Sequence, residues 1–414
     1  LSGVLQNSAD RQVFMQEFRL QSTGANKLDW MIGYYYYDAD QDTAGDNQLG
    51  SFARPFFDLA IGGIVTLVEG LKGAPPGSYI GAGTGRQSEF ELLTTSHSVF
   101  GKLDWHITDQ LTASLGTRWT TEDKEIDANI VTNAPYSAID FSDPDSDPVV
   151  ALLPAPVRGA AAAVQLFRPL PDFSEKRNEQ EPTGELTLSY QYSDAVSLYA
   201  SAKRGYKAGG FNTDGSLDAD LREFDPESLW NMEVGFKGSL MDERLALSAA
   251  LFRMQRRDVQ ISTSITRLRE DGSAEFIGYT GNGAKGVNQG LEVEAVLQTT
   301  DRLQLTASAG LLDAEFENYI NGSGEDLDGR DQAQAPAYHY YFAADYRFTQ
   351  ALRLNISLEG KDDYYFSDGH AERSPSYAVY NGSLRYSVDA WELSAWGRNL
   401  GDKDYFVRGF SFPN

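Results

Sequence analysis

Connection lengths constrain this chain more than any single motif does. Segments of alternating apolar and polar residues run near 11–22, 28–38, 88–107, 111–121, 183–192, 196–205, 228–240, 245–262, 284–298, 303–316, 336–348, 352–362, 377–387, 391–399 and 404–412. Every second connection is a short turn, usually with Asp: "STGANK", "TDQ", "SDA", "MDE", "TTD", "FTQA" and "VDA". The connections between them are long, roughly 39–87, 122–182, 206–227, 263–283, 317–335 and 363–376. A period of two is a strand signal. Strict short–long alternation puts all short turns at one end of a sheet and all long loops at the other. That is the layout of an antiparallel transmembrane β-barrel. A sandwich has no reason to keep such a rule over about fifteen strands, and the chain lacks a propeller's blade repeat.

The alternation has a wet side. In "LTASLGTRWT", Leu111, Ala113, Leu115 and Trp119 oppose Thr112, Ser114, Gly116, Arg118 and Thr120. In "LWNMEVGFKGSL", Trp230, Met232, Val234, Phe236 and Leu240 oppose Asn231, Glu233 and Lys237. A polar lumen on alternate residues also explains a mean hydropathy of -0.41 in a membrane protein. No run of eighteen apolar residues exists, and "LAIGGIVTLV" is too short to span as a helix. The chain starts without the basic and apolar regions of a secretory signal. Its net charge of -25 argues against a nucleic-acid partner. Absence of Cys removes disulfides, thiol catalysis and Cys-based zinc sites.

The stretch "LDWMIGYYYYDAD" then has a sidedness. Trp30, Ile32, Tyr34 and Tyr36 face lipid, with the tyrosines at the outer interface where a ring with a polar tip belongs. Asp29, Met31, Gly33, Tyr35 and Tyr37 face the lumen. Tyr35 and Tyr37 either pack the lumen mouth or offer a stacking surface to a ligand. An odd strand count does not close a single-chain bacterial barrel, and Pro413 suits no closing strand. Residues 1–414 therefore read as part of a larger barrel.

Several stretches carry a family resemblance. They are "QEFRLQS…LDWMIGYYYY", "VFGKLDWHITDQLTASLGTRWTTEDK", "SLWNMEVGFKGSLMDERLALSAALFRMQRRDVQI" and "GVNQGLEVEAVLQTTDRLQLTASAGLLDAEF", with "RGYKAGGFN" and "RNLGDKDY" the most distinctive. In this order and spacing, which runs almost end to end, the chain resembles the β-barrel of TonB-dependent outer-membrane receptors of the iron-complex type. The resemblance implies a barrel of about 22 strands filled by an N-terminal plug, in the outer membrane of a Gram-negative bacterium. It implies a TonB box that couples uptake to TonB, ExbB and ExbD. The implied ligand is a ferric siderophore, and lipid and lipopolysaccharide surround the barrel. The sequence departs from the family by lacking the TonB box, the plug, the first several strands and the final strand.

Enzyme chemistry finds little support, and no cofactor is expected. His97 lies between serines without a near Asp and reads as a wet, lumen-facing strand residue. His106 sits beside a short turn, His339 in an aromatic strand end, and His370 in a loop with Asp362, Asp363 and Asp368. "NGSGEDLDGRDQ" lacks the later bidentate Glu of a calcium loop, and "DFSDPDSDP" reads as a solvated acidic loop. Ligand contacts are expected from the lumen mouth: Arg204, Tyr206, Lys207, Phe211 and Asn212 of "RGYKAGGFN", with Tyr35 and Tyr37. Cations beside aromatic rings suit an anionic, aromatic-bearing ferric chelate. "FARPFFDLAIGGIVTLV" in the 39–87 loop is apolar enough to fold as a short helix or lid. Rival readings are another cargo (cobalamin, haem, a glycan or an aromatic compound), a passive porin-like or structural barrel, and an outer-membrane hydrolase.

Overall fold

The computed structural model describes residues 3–268, 274–321 and 324–409. Its first half holds strands β1 (Gly3–Gln21), β2 (Leu28–Leu49), β3 (Gly85–His106), β4 (Leu111–Asn133), β5 (Phe173–Ser193) and β6 (Val196–Lys207). A small ribbon follows, β7 (Gly210–Phe211) with β8 (Glu223–Phe224), and then β9 (Glu227–Leu240), β10 (Leu245–Leu268), β11 (Ala274–Thr300) and β12 (Leu303–Glu317). Next come β13 (Tyr338–Arg347), β14 (Leu352–Lys361), a second ribbon of β15 (Tyr364–Tyr365) with β16 (Arg373–Ser374), β17 (Tyr377–Val388) and β18 (Trp391–Gly397). Apart from the ribbons, these form one sheet of 14 antiparallel strands in chain order. This is a β-barrel wall, and among the described residues no helix is long and apolar enough to cross a membrane.

The short turns close by side-chain chemistry. The hydroxyl of Thr108 accepts from the amides of Gln110 and Leu111 at 3.2 and 3.0 Å. Thr300 does the same for Arg302 and Leu303, and Thr349 for Ala351 and Leu352. Asp389, at φ 48°, takes the left-handed conformation of a two-residue hairpin.

Cross-strand register turns the period of two into rows. Phe18, Tyr34, Val99 and Trp119 are mutually opposite on β1 to β4, and all four are exposed. That row faces lipid. The next row, Glu17, Tyr35, Ser98, Thr120 and Glu181, faces the lumen. The tyrosine run is thus split as its alternation requires. Tyr34 and Tyr36 join Phe14 and His97 in an outward aromatic band, with Tyr36 5.1 Å from the His97 ring. His97 is opposite Tyr36 and bonds the Tyr34 hydroxyl at 2.7 Å. It lies on the lipid face, not in the lumen, because the strand keeps strict alternation through "TTSHSVF".

Strands outrun the sequence reading at the loop end. β2 continues to Leu49, β4 to Asn133, and β5 begins at Phe173, all in unbroken register. Beyond the aromatic band the outward face carries Asp42, Glu91 and Asp127 in place of apolar residues, while Ile126, Ala128, Ile130 and Phe173 are buried on the inward face, and the ladder hydrogen bonds continue. The last expected strand, 404–412, does not form over 404–409, and 410–412 lie outside the described residues. Asn399 turns the chain instead, at φ 47°, and its side chain bonds the backbone amide and carbonyl of Lys403 at 3.0 Å each.

The shortened 50–84 loop carries two helices, α1 (Ala53–Ala60) and α2 (Ile64–Leu71), where one short helix or a lid is expected from "FARPFFDLAIGGIVTLV". The 134–172 loop adds α3 (Pro148–Leu152) and α4 (Ala155–Ala162). Together these two loops bury Val65, Val68, Tyr136, Phe141, Val150 and Ala161 in a core of their own above the wall.

A cation and three tyrosines in the lumen mouth

The inward rows converge on a cavity of about 340 Å³ lined by Tyr35, Tyr37, Arg118, Thr120, Glu122 and Tyr206, with Ser96 and Ala208. Arg118 is its centre. Its Nε donates to Thr120 Oγ1 at 3.2 Å and its Nη2 to Ser98 Oγ at 2.8 Å. The guanidinium carbon lies 5.1 Å from the Tyr35 ring and 5.6 Å from the Phe100 ring. Among the described residues, no carboxylate lies within ion-pair distance of it. Hydroxyls and ring faces hold the charge directly, and Glu122, the carboxylate in the same lining, pairs with Lys124 at 2.7 Å. Gly33, opposite Phe100, makes this possible: a Cβ there would come within 2.3 Å of the Phe100 ring.

"RGYKAGGFN" divides its labour. The β5–β6 ladder stops at Gly184 opposite Arg204, just short of Pro182, which has no amide to donate. Arg204 fills the break, bonding the Pro182 carbonyl and, at 2.9 Å, Glu181. Tyr206 lines the cavity beside Tyr35 and Tyr37. Lys207 ends β6, exposed, opposite Glu227. The Gly209 amide donates to Glu179 at 3.1 Å while Lys124 donates to its carbonyl at 2.7 Å. A Cβ at Gly209 would lie 2.6 Å from the Phe224 carbonyl oxygen. Phe211 packs on Ile126, Ala128, Ile130 and Phe173. Asn212 is buried and committed: it donates to Leu221 and Thr280 carbonyls at 2.8 and 2.9 Å and accepts from the Thr280 amide at 2.8 Å. Of the seven residues singled out in the sequence, the structure brings together Tyr35, Tyr37 and Tyr206. Arg204, Phe211 and Asn212 brace the wall around them.

Arg118 was not singled out from the sequence, although it stands on the polar face of "LTASLGTRWT". The available signal is local: its polar-face neighbours are Gly116 and Thr120 rather than carboxylates. A second feature also went unread. Asp10, Asp42, Glu91 and Asp127 form one cross-strand row on the outward face above Tyr36, with Asp40 close to Asp42 and Glu91. By contrast, the acids near His370 are in use: Asp363 pairs with Arg373 at 2.7 Å and Asp368 accepts from the Ala333 amide at 2.8 Å.

Above the membrane, the cap carries a bidentate ion pair. Arg54 grips both oxygens of Glu69 at 2.9 and 3.0 Å and donates to the Tyr79 carbonyl at 2.6 Å. Burial works to raise the Glu69 carboxyl. Arg54 and the amides of Tyr79 and Gly77 outweigh it and hold the group down at about 2. Lys72 and Asp147, 2.5 Å apart, tie the two loops together.

A 14-stranded antiparallel wall with a polar inner face defines the class: a transmembrane β-barrel. Comparison narrows this. The family described as TonB dependent receptor-like, beta-barrel matches residues 5–400, and the chain belongs to it. That family consists of transport receptors. The chain is 24% identical over 254 residues to a probable TonB-dependent siderophore receptor, PiuA, of Acinetobacter baumannii, covering 58% of this chain and 32% of that protein. It is 24% identical over 245 residues to the ferrioxamine receptor of Yersinia enterocolitica, covering 58% and 32%. The ferric yersiniabactin uptake receptor FyuA of Yersinia pestis superposes with a TM-score of 0.71 at 18% identity, over 100% of this chain and 52% of that one. The PiuA structure gives 0.68 at 18%, over 97% and 53%. The chain thus spans about a third of the curated relatives and half of the solved structures it matches.

Proposed function

We propose that this chain is the barrel of an outer-membrane receptor that takes up a ferric siderophore, energised by TonB with ExbB and ExbD. The carrying observation is Arg118, which makes no ion pair among the described residues and shares a cavity with Tyr35, Tyr37, Tyr206 and Glu122 at the lumen mouth. Ferric chelates of catecholate or carboxylate type are anionic, and their aromatic rings stack on tyrosine. The relatives' printed names, siderophore and ferrioxamine receptors among them, point the same way. In this reading Tyr35, Tyr37, Tyr206 and Arg118 touch the ligand, Lys207 lies at its approach, and Arg204, Phe211 and Asn212 shape the wall. The apolar face meets outer-membrane lipid, and the carboxylate row above Tyr36 faces the lipopolysaccharide layer. No bond-making chemistry is involved, so the protein is not an enzyme.

The test is uptake of radiolabelled ferric chelates, one catecholate and one hydroxamate, by cells whose own siderophore receptors are deleted. Saturable uptake that disappears when tonB is deleted is the expected result. Uptake that persists without TonB would make the barrel a passive pore. No uptake of any ferric chelate would move the cargo to another class.

A further inference from the structure

We infer that Lys124 is a positioning residue for the mouth cavity: by holding Glu122 it leaves Arg118 open to an anionic ligand. This rests on the uptake reading for the nature of that ligand. Arg118 and Glu122 line the same cavity. They stand on one face of β4 with Thr120 between them, about 13 Å apart along the strand. An arginine and a glutamate that turn towards each other close such a gap. Arg118 has only two hydroxyls to give up, those of Thr120 and Ser98, and a carboxylate binds a guanidinium more strongly than a hydroxyl does. The pair is nevertheless not made, and Lys124 is the reason.

Lys124 is the next inward residue of β4, and its Nζ lies 2.7 Å from Glu122. The two side chains are only 15% and 14% exposed, so salt and water screen them little. Among the described residues Glu122 has no other ion-pair partner. The register shows why it needs one. Glu122 is directly opposite Glu179, and Lys124 is directly opposite Arg177. Like charges facing each other across a ladder repel. Each carboxylate is instead met along its own strand, Glu122 by Lys124 and Glu179 by Arg177 at 3.2 Å. Arg177 is spent further on Glu223 and Asp225, at 3.4 and 2.9 Å. Gly209 closes the square, since its carbonyl accepts from Lys124 and its amide donates to Glu179. Without Lys124, Glu122 would be a largely buried carboxylate with no partner, which is a costly state. The only other cation in the cavity lining is Arg118. An Arg118–Glu122 pair would then neutralise the mouth.

Whether Arg118 is open can be read without knowing the cargo. Ala208→Cys, in the cavity lining, is introduced into the intact receptor in living cells, and Ser96→Cys repeats the measurement in case the first assembles poorly. No cysteine occurs in residues 1–414, and the receptor without the introduced one supplies the background. Reaction rates with anionic sulfonatoethyl methanethiosulfonate and cationic trimethylammonioethyl methanethiosulfonate are compared as a ratio. Adding Arg118→Ala should lower the anion-to-cation ratio about fivefold or more. In Lys124→Met the same Arg118→Ala change should lower it less than about twofold, because Arg118 is already taken. Lys124→Gln serves if Lys124→Met assembles poorly. Glu122→Gln added to Lys124→Met should restore the full effect, and Lys124→Arg should keep it. If Lys124 acted by net charge alone, the Arg118→Ala effect would be equal in every background. If it only braced Gly209, Glu122→Gln would restore nothing. Either result would overturn the proposal. So would no reaction at either position, since the cavity would then be closed to the outside. Failure to take up any ferric chelate, with these rates as expected, would sink the siderophore reading and leave the role of Lys124 standing.

Discussion

The wall and the cap of this barrel are held by different forces. In the wall, every strand of the sheet except β1 and β18 is hydrogen-bonded on both sides, and side chains alternate between lipid and lumen. Its lumen face carries charge beside small apolar clusters such as that of Ile126, Ala128, Ile130 and Phe173. In the cap, α1, α2 and the 134–172 loop have almost no ladder to join, and an apolar cluster around Tyr136 with the Arg54–Glu69 pair does the holding. Position in the membrane accounts for the contrast. Within lipid every backbone group must be satisfied inside the protein, whereas above it water satisfies backbone and the hydrophobic effect can again build a core.

The largest effect is expected where the ladder is broken. Ala200→Pro removes a donor from β6 between Leu188 of β5 and Val234 of β9. No folded, heat-modifiable barrel should appear on unboiled gels. A normal folded band would show that the wall does not depend on an unbroken ladder. Tyr136→Ala should act on the other region alone. It empties a site 1% exposed and should cost about 3 kcal/mol or more of cap stability. Hydrogen exchange should speed up over 134–164 and stay unchanged in β9 to β14; a change in both would mean that cap and wall unfold together.

Acid sharpens the comparison further. Glu69 titrates at about 2 folded against an ordinary 4.5, so the unfolded cap binds more protons. Its contribution is complete above 4.5 and is lost as pH falls towards 2. Exchange in 50–84, corrected for its intrinsic pH dependence, should stay constant near neutral pH and rise in that acid window. Glu69→Gln should start higher and respond less, and an equal acid response in that variant would remove Glu69 as the cause. The smallest effect belongs to Lys176→Ala, whose side chain is 71% exposed and pairs with Glu125 at 2.6 Å on the projecting wall. Screening by water leaves such a pair little to contribute, and the melting midpoint should not move measurably.

Legibility in the sequence followed the same division. The wall was readable because consecutive antiparallel strands inherit the period of two, so Tyr34 and Tyr35 part to opposite faces on local information alone. The turns were readable because their Thr and Asp residues act on neighbours one to three positions away. The projecting ends of β2 to β5 were not, since above the lipid their outward face trades apolar residues for carboxylates such as Asp42, Glu91 and Asp127, although β4 keeps Ile126, Ala128 and Ile130 buried inside. "RGYKAGGFN" showed its residue types but not their uses, because Asn212 is spent on Thr280, 68 residues away in sequence.

The residues by themselves thus determined the all-β class, the end at which the loops gather and the faces of the strongly alternating stretches, though not that of His97. They did so because ladder geometry repeats every second residue. Only the tertiary structure decided that Arg118 lies against the Tyr35 and Phe100 rings with no ion pair among the described residues. Charge compensation depends on which side chains arrive from β2, β3 and β5, and no local period encodes that meeting.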